Sequence, residues 1–282
     1  MDFFLPDIPA TAYSPFEWPE YNLSLAYPAF VHAKNIGTNP PGVRIGVWPI
    51  YIDEYRSDTE PAPQKGPVQL AQWHRLTRTD TPPGWWQLPH AQPELYIGIY
   101  NDLRPGYTNN WKKTAAYYSR QVKKRLLDQE YRIESLDFNI FAEAFAHSTV
   151  AREIPTLEIR KLQKRLELFP QSISMWGMRR ISDNKIVAGF SAFDSAHNKA
   201  SQYGCSFYLP EVYRDNLVVG LIDHWFEVSI HKQIRVLHFG LFAPKGQGTG
   251  RAKTISDFKS KFITHHIAYQ PPLWRLTGGK LF

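Results

Sequence analysis

The sequence predicts an α+β protein, a mixed sheet with helices on both faces in the manner of an α/β/α sandwich, preceded by a smaller proline-rich lobe. Three observations predict it. Between Ile173 and Phe262 the chain reads strand, turn, strand, turn, strand, long helix, strand, Gly-rich loop and short helix. Sixteen of the 22 prolines lie before Asn110, which concentrates irregular edges in the first third and regular elements after it. Hydrophobic residues make up 43% and aromatics 15% of the 282 residues, with nine Trp spread from Trp18 to Trp274; a disordered chain has no such burial capacity. The expected division is a lobe over residues 1–108 and a main domain over 109–282.

In the first lobe, Val43 to Tyr55, Ala71 to Arg78 and Leu95 to Tyr100 are strand-like runs bounded by Pro or Gly. A helix is expected from Asn109, with Thr108 or Asn109 as cap and Trp111, Ala115, Tyr118, Val122 and Leu126 on one face. Its other side is basic: Lys112, Lys113, Arg120, Lys123, Lys124, Arg125 and Arg132 stand against Asp128 and Glu130. A solvated face explains this, and so does a track for phosphates. Tyr131 to Leu136 reads as a short strand, and Asp137 caps a helix whose Phe138, Phe141, Ala142 and Phe145 face inward. Pro155 suits the start of another helix carrying Leu157, Leu162, Leu166 and Phe169.

Ile173 to Ile181, Ile186 to Asp194 and Ala200 to Tyr208 form a three-strand meander, because Ser182-Asp183-Asn184-Lys185 and Ser195 to Lys199 are turn formers. A helix from about Tyr213 to His231 then leads to a strand from Arg235 to Phe242, the order of a crossover unit in an open sheet. Ala243 to Lys253 is the one Gly-rich stretch, and no internal repeat is visible.

Lys and Arg outnumber Asp and Glu by 33 to 26, a formal net charge of +7. That balance favours anionic partners such as nucleotides, RNA or an acidic membrane face, and it equally describes an ordinary basic surface. Cys205 is the sole cysteine, so no intrachain disulfide forms and a reducing, cytoplasmic location is expected. The start, Met1-Asp2-Phe3-Phe4-Leu5-Pro6, has no secretory pattern, and no run of ~18 apolar residues predicts a transmembrane segment.

Three short motifs carry a resemblance over a little more than half the chain. They are Trp111-Lys112-Lys113 through Arg125, Val236-Leu237-His238-Phe239-Gly240, and Asp257-Phe258-Lys259-Ser260-Lys261-Phe262 after a glycine loop. With the element order, they make the segment from about Asn110 to Ala268 resemble the GNAT acetyltransferase fold, and within it the FemAB family of tRNA-dependent aminoacyltransferases. The resemblance implies a splayed sheet whose third meander strand, Ser201 to Phe207, and following strand, Val236 to Phe242, leave backbone groups open to substrate. Family members commonly carry two copies of the fold, so the N-terminal lobe is expected to be a reduced second copy. Coenzyme A users of the fold place glycines where the long helix begins. Here that turn reads Tyr213-Arg214-Asp215-Asn216-Leu217-Val218-Val219-Gly220, with no early glycine and with a negative Asp215, which favours FemAB.

Acyl transfer to an amine needs a held donor, a route for the amine proton and donors aimed at the oxyanion. Lys259 is the candidate oxyanion stabiliser, by resemblance to the family's Phe-Lys motif, with a solvated lysine as the alternative. His238 and Tyr203 are candidate proton carriers, against core roles for both. Arg214, Asn216, Lys245, Gly246, Gly248, Arg251 and Lys261 are candidate donor-binding residues, since glycine-freed N–H groups and cations hold anions; a plain connecting loop accounts equally for 245–251. Lys112, Lys113, Arg120, Lys123 and Lys124 form the candidate basic face for tRNA. No metal is expected, because His224, His231 and His265-His266 show no ligand spacing. No tightly bound cofactor is expected either, the donor being aminoacyl-tRNA or acyl-coenzyme A. The implied function is aminoacyl transfer from charged tRNA to an amine of a peptide or cell-wall precursor. Two alternatives stand beside it: coenzyme A-dependent acetylation of a small amine or amino sugar, and a binding module without catalysis.

Overall fold

Two mixed sheets organise the chain, and each borrows one strand from the other's half of the sequence. The computed structural model describes residues 5–13, 18, 33–36, 42–47, 50–62, 69–89, 96–153, 157–242 and 250–277. A 3-10 turn, Ala10–Tyr13, precedes β1 (Ala33–Ile36), β2 (Gly42–Val47), β3 (Ile50–Arg56), β4 (Gln69–His74), β5 (Trp86–Gln87) and β6 (Tyr96–Tyr100). Next come α1 (Lys113–Leu127), β7 (Tyr131–Ser135), α2 (Phe138–Ala146), α3 (Thr149–Glu153) and α4 (Leu157–Leu168). The remainder is β8 (Ile173–Arg180), β9 (Lys185–Ser195), β10 (Ala200–Tyr208), α5 (Leu217–His231), β11 (Val236–Leu241), α6 (Gly250–Lys259), β12 (His265–Ala268) and β13 (Leu273–Thr277).

The first sheet runs β1-β2-β3-β4-β13-β5 and the second β12-β6-β11-β10-β9-β8-β7. The sheets therefore do not divide at residue 108. Strand β6 precedes that point yet pairs with β11 and β12, and C-terminal β13 pairs with β4 and β5. Each exchanged strand supplies partners for backbone groups that would otherwise form an open edge. The pairing senses also repeat. From β1 to β5 they run antiparallel, antiparallel, parallel, antiparallel, antiparallel, and from β8 through β11 and β6 to β12 they run the same.

Local expectations meet the structure with informative differences. The run expected as one strand from Val43 to Tyr55 is two antiparallel strands, β2 ending at Val47 and β3 starting at Ile50. Helix α1 starts four residues later than Asn109: Tyr107–Asn110 closes as a 3-10 turn, and Lys112 takes the N-cap without a side-chain cap bond. Asp137 caps α2 as its type and position predict, accepting from Ile140 N at 2.9 Å. Helix α5 begins at Leu217 because Pro210–Asp215 forms a 3-10 turn and Asn216 adopts φ 54°, a left-handed conformation that breaks it from the helix.

The main core lies between the second sheet and the layer of α1 and α5. Ten of the fifteen residues of α5 are buried, Trp225 and Phe226 completely. Gly220 lets α1 and α5 touch: a Cβ there would lie 2.3 Å from Val122 Cγ1. Inside this layer Asp223 accepts from the hydroxyls of Tyr107 and Ser119 and pairs with Lys123 at 3.1 Å, so its carboxylate is satisfied where it is buried. On the other face of the sheet, α2, α3 and α4 cover Phe207, with Phe141 and Phe145 set edge-on to it. Among the described residues no helix is long and apolar enough to cross a membrane.

Candidate active site

The parallel step of the second sheet opens partway along. β10 and β11 pair over Ala200–Gln202 and Val236–His238 and no further, although β10 continues to Tyr208 and β11 to Leu241. Both strands are irregular where they part. β10 shifts register against β9 between Tyr203 and Ser206, and β11 shifts against β6 between His238 and Leu241. Gly240 carries that second irregularity with φ 73°, a conformation that glycine adopts without strain.

Helix α6 closes one side of the opening, and aromatic packing fixes it there. Phe262 is fully buried, stacks on Phe239 at 5.8 Å and meets Trp111 edge-on at 5.0 Å. Lys112 N donates to the Lys261 carbonyl at 2.9 Å, and Lys112 Nζ donates to Ser260 Oγ at 2.8 Å, so the start of α1 clasps the end of α6. Lys259 is thereby held with Nζ 5.2 Å from the centre of the Tyr203 ring, a cation–π distance. The side chains of Lys259 and Gln202 come close to Gly240, where a Cβ would lie 3.7 Å from Lys259 Nζ and 3.8 Å from Gln202 Nε2. Gln202 is buried and its Oε1 has no hydrogen-bond partner.

Two adjoining cavities lead from this point. The inner one, about 400 Å³, is bounded by Tyr203, Cys205, Val218, Ile255, Phe258 and Lys259 among others. The outer one, about 670 Å³, is bounded by Tyr118, Tyr213, Arg214, Asn216, Asp257 and Lys261 among others, with Tyr208, Val218, Thr254 and Phe258 common to both. The first residues of α5, Leu217 to Val219, line the outer cavity, which sets the positive end of that helix beside Arg214 and Lys261. The negative charge of Asp215 is already matched: Arg125 pairs with it at 2.8 Å and the Tyr131 hydroxyl donates to it at 2.8 Å. Burial, with that bond to Asp215, pushes the Tyr131 phenol up to about 12.

The structure thus brings Lys259 and Tyr203 together at the inner cavity and Arg214, Asn216 and Lys261 together at the outer one. Helix α6 ends at Lys259, so Lys261 sits in the following turn, and the short helix expected around Asp257 begins seven residues earlier. His238 is elsewhere. It lies fully buried, its Nε2 bonds the Ala12 carbonyl at 2.5 Å, and its ring meets Trp18 edge-on at 5.4 Å. Burial lowers its pKa to about 4, the Ala12 bond notwithstanding. Strand alternation puts it on the face covered by the N-terminal segment, so the role expected of it as a proton carrier is replaced by one in the core. Lys245, Gly246 and Gly248 lie outside the described residues, as does the side chain of Arg251.

On α1, Lys123 pairs with Asp223 and Glu227, and Lys112 is engaged at α6. Lys113, Arg120 and Lys124 are exposed, with no ion pair among the described residues, and the half-exposed Tyr117 lies on the same side. No group of three or more His, Cys, Asp or Glu able to hold a metal is found among the described residues. The site also contains residues that sequence reasoning passed over: Gln202, Tyr208, Val218 and Gly240. A glycine inside a strand pattern signals a bulge, so Gly240 carried a readable signal. The other three look like ordinary strand and helix residues.

No protein-family model matches the chain, and no curated protein matches it in sequence. Its fold does match solved structures. One described as FemX aligns with a TM-score of 0.63 over 95% of this chain and 92% of that one, at 8% identity. L-PGS from Bacillus licheniformis aligns with a TM-score of 0.53 over 86% and 83%, at 10% identity. A conserved protein of unknown function from Bacteroides thetaiotaomicron aligns with a TM-score of 0.53 over 84% and 82%, also at 10%. The chain shares its fold with the structures described as FemX and L-PGS.

Proposed function

We propose that this protein is an N-acyltransferase of FemAB-like type, which takes an aminoacyl group from charged tRNA and passes it to an amine of a peptide or cell-wall precursor. The observation that carries the reading is the position of Lys259, held over Tyr203 where β10 and β11 part. In the proposed reaction the acceptor amine attacks the carbonyl carbon of the aminoacyl ester. The ammonium of Lys259 donates to the oxygen that gains negative charge, where a positioned donor in a water-poor site acts most strongly. The amine proton passes to the departing ribose oxygen by way of the bonded Tyr203 and Ser206 hydroxyls.

Arg214, Lys261 and the start of α5 supply positive potential for the donor's phosphates at the outer cavity. Lys113, Arg120 and Lys124 extend it along α1, and Tyr117 offers a ring for base stacking. The repeated pairing senses support reading the first sheet as a reduced second copy of the fold, with the acceptor bound between the copies. A second reading, an acyl-coenzyme A donor, is favoured by the same cations beside the first turn of α5, which suit the donor's pyrophosphate.

The test mixes the protein separately with charged tRNA and with labelled acetyl-coenzyme A, adds hydroxylamine as a surrogate amine, and follows each donor by mass spectrometry. Loss of the aminoacyl group from tRNA with hydroxamate formation, faster than hydroxylamine achieves without the protein, is expected. Deacylation of coenzyme A alone selects the second reading, and inertness of both donors removes the acyltransferase assignment.

A further inference from the structure

The two cavities differ in chemistry. Arg214, Asp257 and Lys261 give the outer one its charge. The inner one is lined mainly by the apolar surfaces of Val150, Cys205, Val218, Ile255 and Phe258, with the hydroxyls of Tyr203, Ser206, Tyr208 and Thr254 at its edges; among its described lining residues there is no Asp or Glu, and the one cation is Lys259. Its volume of about 400 Å³ falls at the small end of the ~300–1,000 Å³ range of ligand pockets. The carrier and the transferred group are thus offered adjoining but different environments, one charged and one mainly apolar.

We propose that the inner cavity receives the side chain of the transferred acyl group and selects a neutral, apolar one, of leucyl or valyl type, over a charged one. The inference rests on the acyltransferase reading above and adds the substrate class. A lysyl or arginyl group would carry a cation into a mainly apolar cavity with no carboxylate among the described lining residues and with Lys259 as a like-charged neighbour, which disfavours it. An aspartyl or glutamyl group would draw the Lys259 ammonium away from the carbonyl oxygen. An apolar group loses nothing on entry and gains about fourfold in affinity for each methylene buried. The bonds made and broken are the same for every donor: a C–N bond forms to the acceptor, the ester or thioester bond to the carrier breaks, and the amine proton goes to the departing oxygen or sulfur.

Ile255 provides the decisive substitution. It lines the cavity from α6 and is 37% exposed, so a carboxylate there reaches the cavity wall while staying partly hydrated. Transfer to hydroxylamine is measured for leucyl-, valyl-, lysyl- and aspartyl-tRNA and, as the other carrier, for hexanoyl- and succinyl-coenzyme A. Wild-type protein is expected to favour the apolar member of each set at least about tenfold in kcat/KM. Ile255→Glu, checked for an unchanged melting temperature, is expected to lose that preference against lysyl by a similar factor. Cys205 gives a readout without turnover: its labelling by methyl methanethiolsulfonate should be slowed by leucyl-tRNA or hexanoyl-coenzyme A and not by their charged counterparts. Equal or faster transfer of lysyl, aspartyl or succinyl groups by the wild type overturns the pocket assignment and leaves the acyltransferase reading standing. If no donor reacts and none protects Cys205, both readings fall together.

Discussion

Replacing Lys259 separates a chemical role from a structural one, because the two differ in size. Its ammonium faces the Tyr203 ring at 5.2 Å, and a half-buried cation–π contact contributes on the order of 1 kcal/mol. Against a domain stability of roughly 5–15 kcal/mol, that loss leaves nearly all molecules folded. If the same ammonium donates to the developing oxyanion, its removal should cost about 10²–10³ in kcat, or roughly 3–4 kcal/mol in the barrier. Lys259→Met keeps the stem over the ring and deletes the charge, whereas Lys259→Ala removes both. Both variants should therefore lose single-turnover rate by that factor on the donor that proves active, with unfolding free energies that differ from wild type by less than about 2 kcal/mol. A Lys259→Met protein that turns over within threefold of wild type refutes the assignment. So does a loss that merely tracks the unfolded fraction.

Three further outcomes are expected. Arg214→Ala and Lys261→Ala, each removing a cation from the outer cavity, should raise KM for the donor severalfold with kcat nearly unchanged, and should flatten the dependence of donor binding on salt; a change confined to kcat would move them out of the donor site. His238 is neutral when folded because burial lowers its pKa to about 4, while the unfolded chain takes up that proton near ~6.5. Stability from this group is thus complete above pH ~6.5 and is lost as pH falls toward about 4, on the order of 3 kcal/mol in all. His74, lowered to about 3 mainly by burial, adds a loss of the same sign, so the difference in urea stability between wild type and His238→Gln across pH 7 to 4.5 isolates His238. Parallel curves would contradict its buried neutral state. Finally, Gly189→Ala would set a Cβ 2.2 Å from Phe207 Cε1, a fully buried ring, and should cost about 1–3 kcal/mol by overpacking. An unshifted midpoint would mean that the ring has room to turn.

Much of the fold was readable from local pattern. The meander β8–β10, the Asp137 cap and the inward face of α1 depend on period, turn residues and capping, which act over a few neighbours. Lys259 stood out as a candidate through the resemblance of Phe258-Lys259 to the family's Phe-Lys motif, and Phe258 and Phe262 on either side of it pack inward. The partnership of Lys259 with Tyr203 and Gly240 was not legible, since α6 must first dock through Phe262 on Phe239 and Trp111. Nor was the match of Asp215 to Arg125, which made an apparently unfavourable charge at the start of α5 harmless.

His238 shows the limit most clearly. Alternation along β11 sets it opposite Leu237 and Phe239, but no local rule says that Trp18 and Ala12, more than 200 residues earlier, cover that face. The exchange of β6 and β13 between the sheets has the same character. By itself the sequence determined most kinds of element and their order, because those follow from near neighbours along the chain. Which strands pair, where β10 leaves β11 and which polar groups line the opening were decided by tertiary structure alone, because they depend on contacts between segments whose separation in sequence carries no periodic trace.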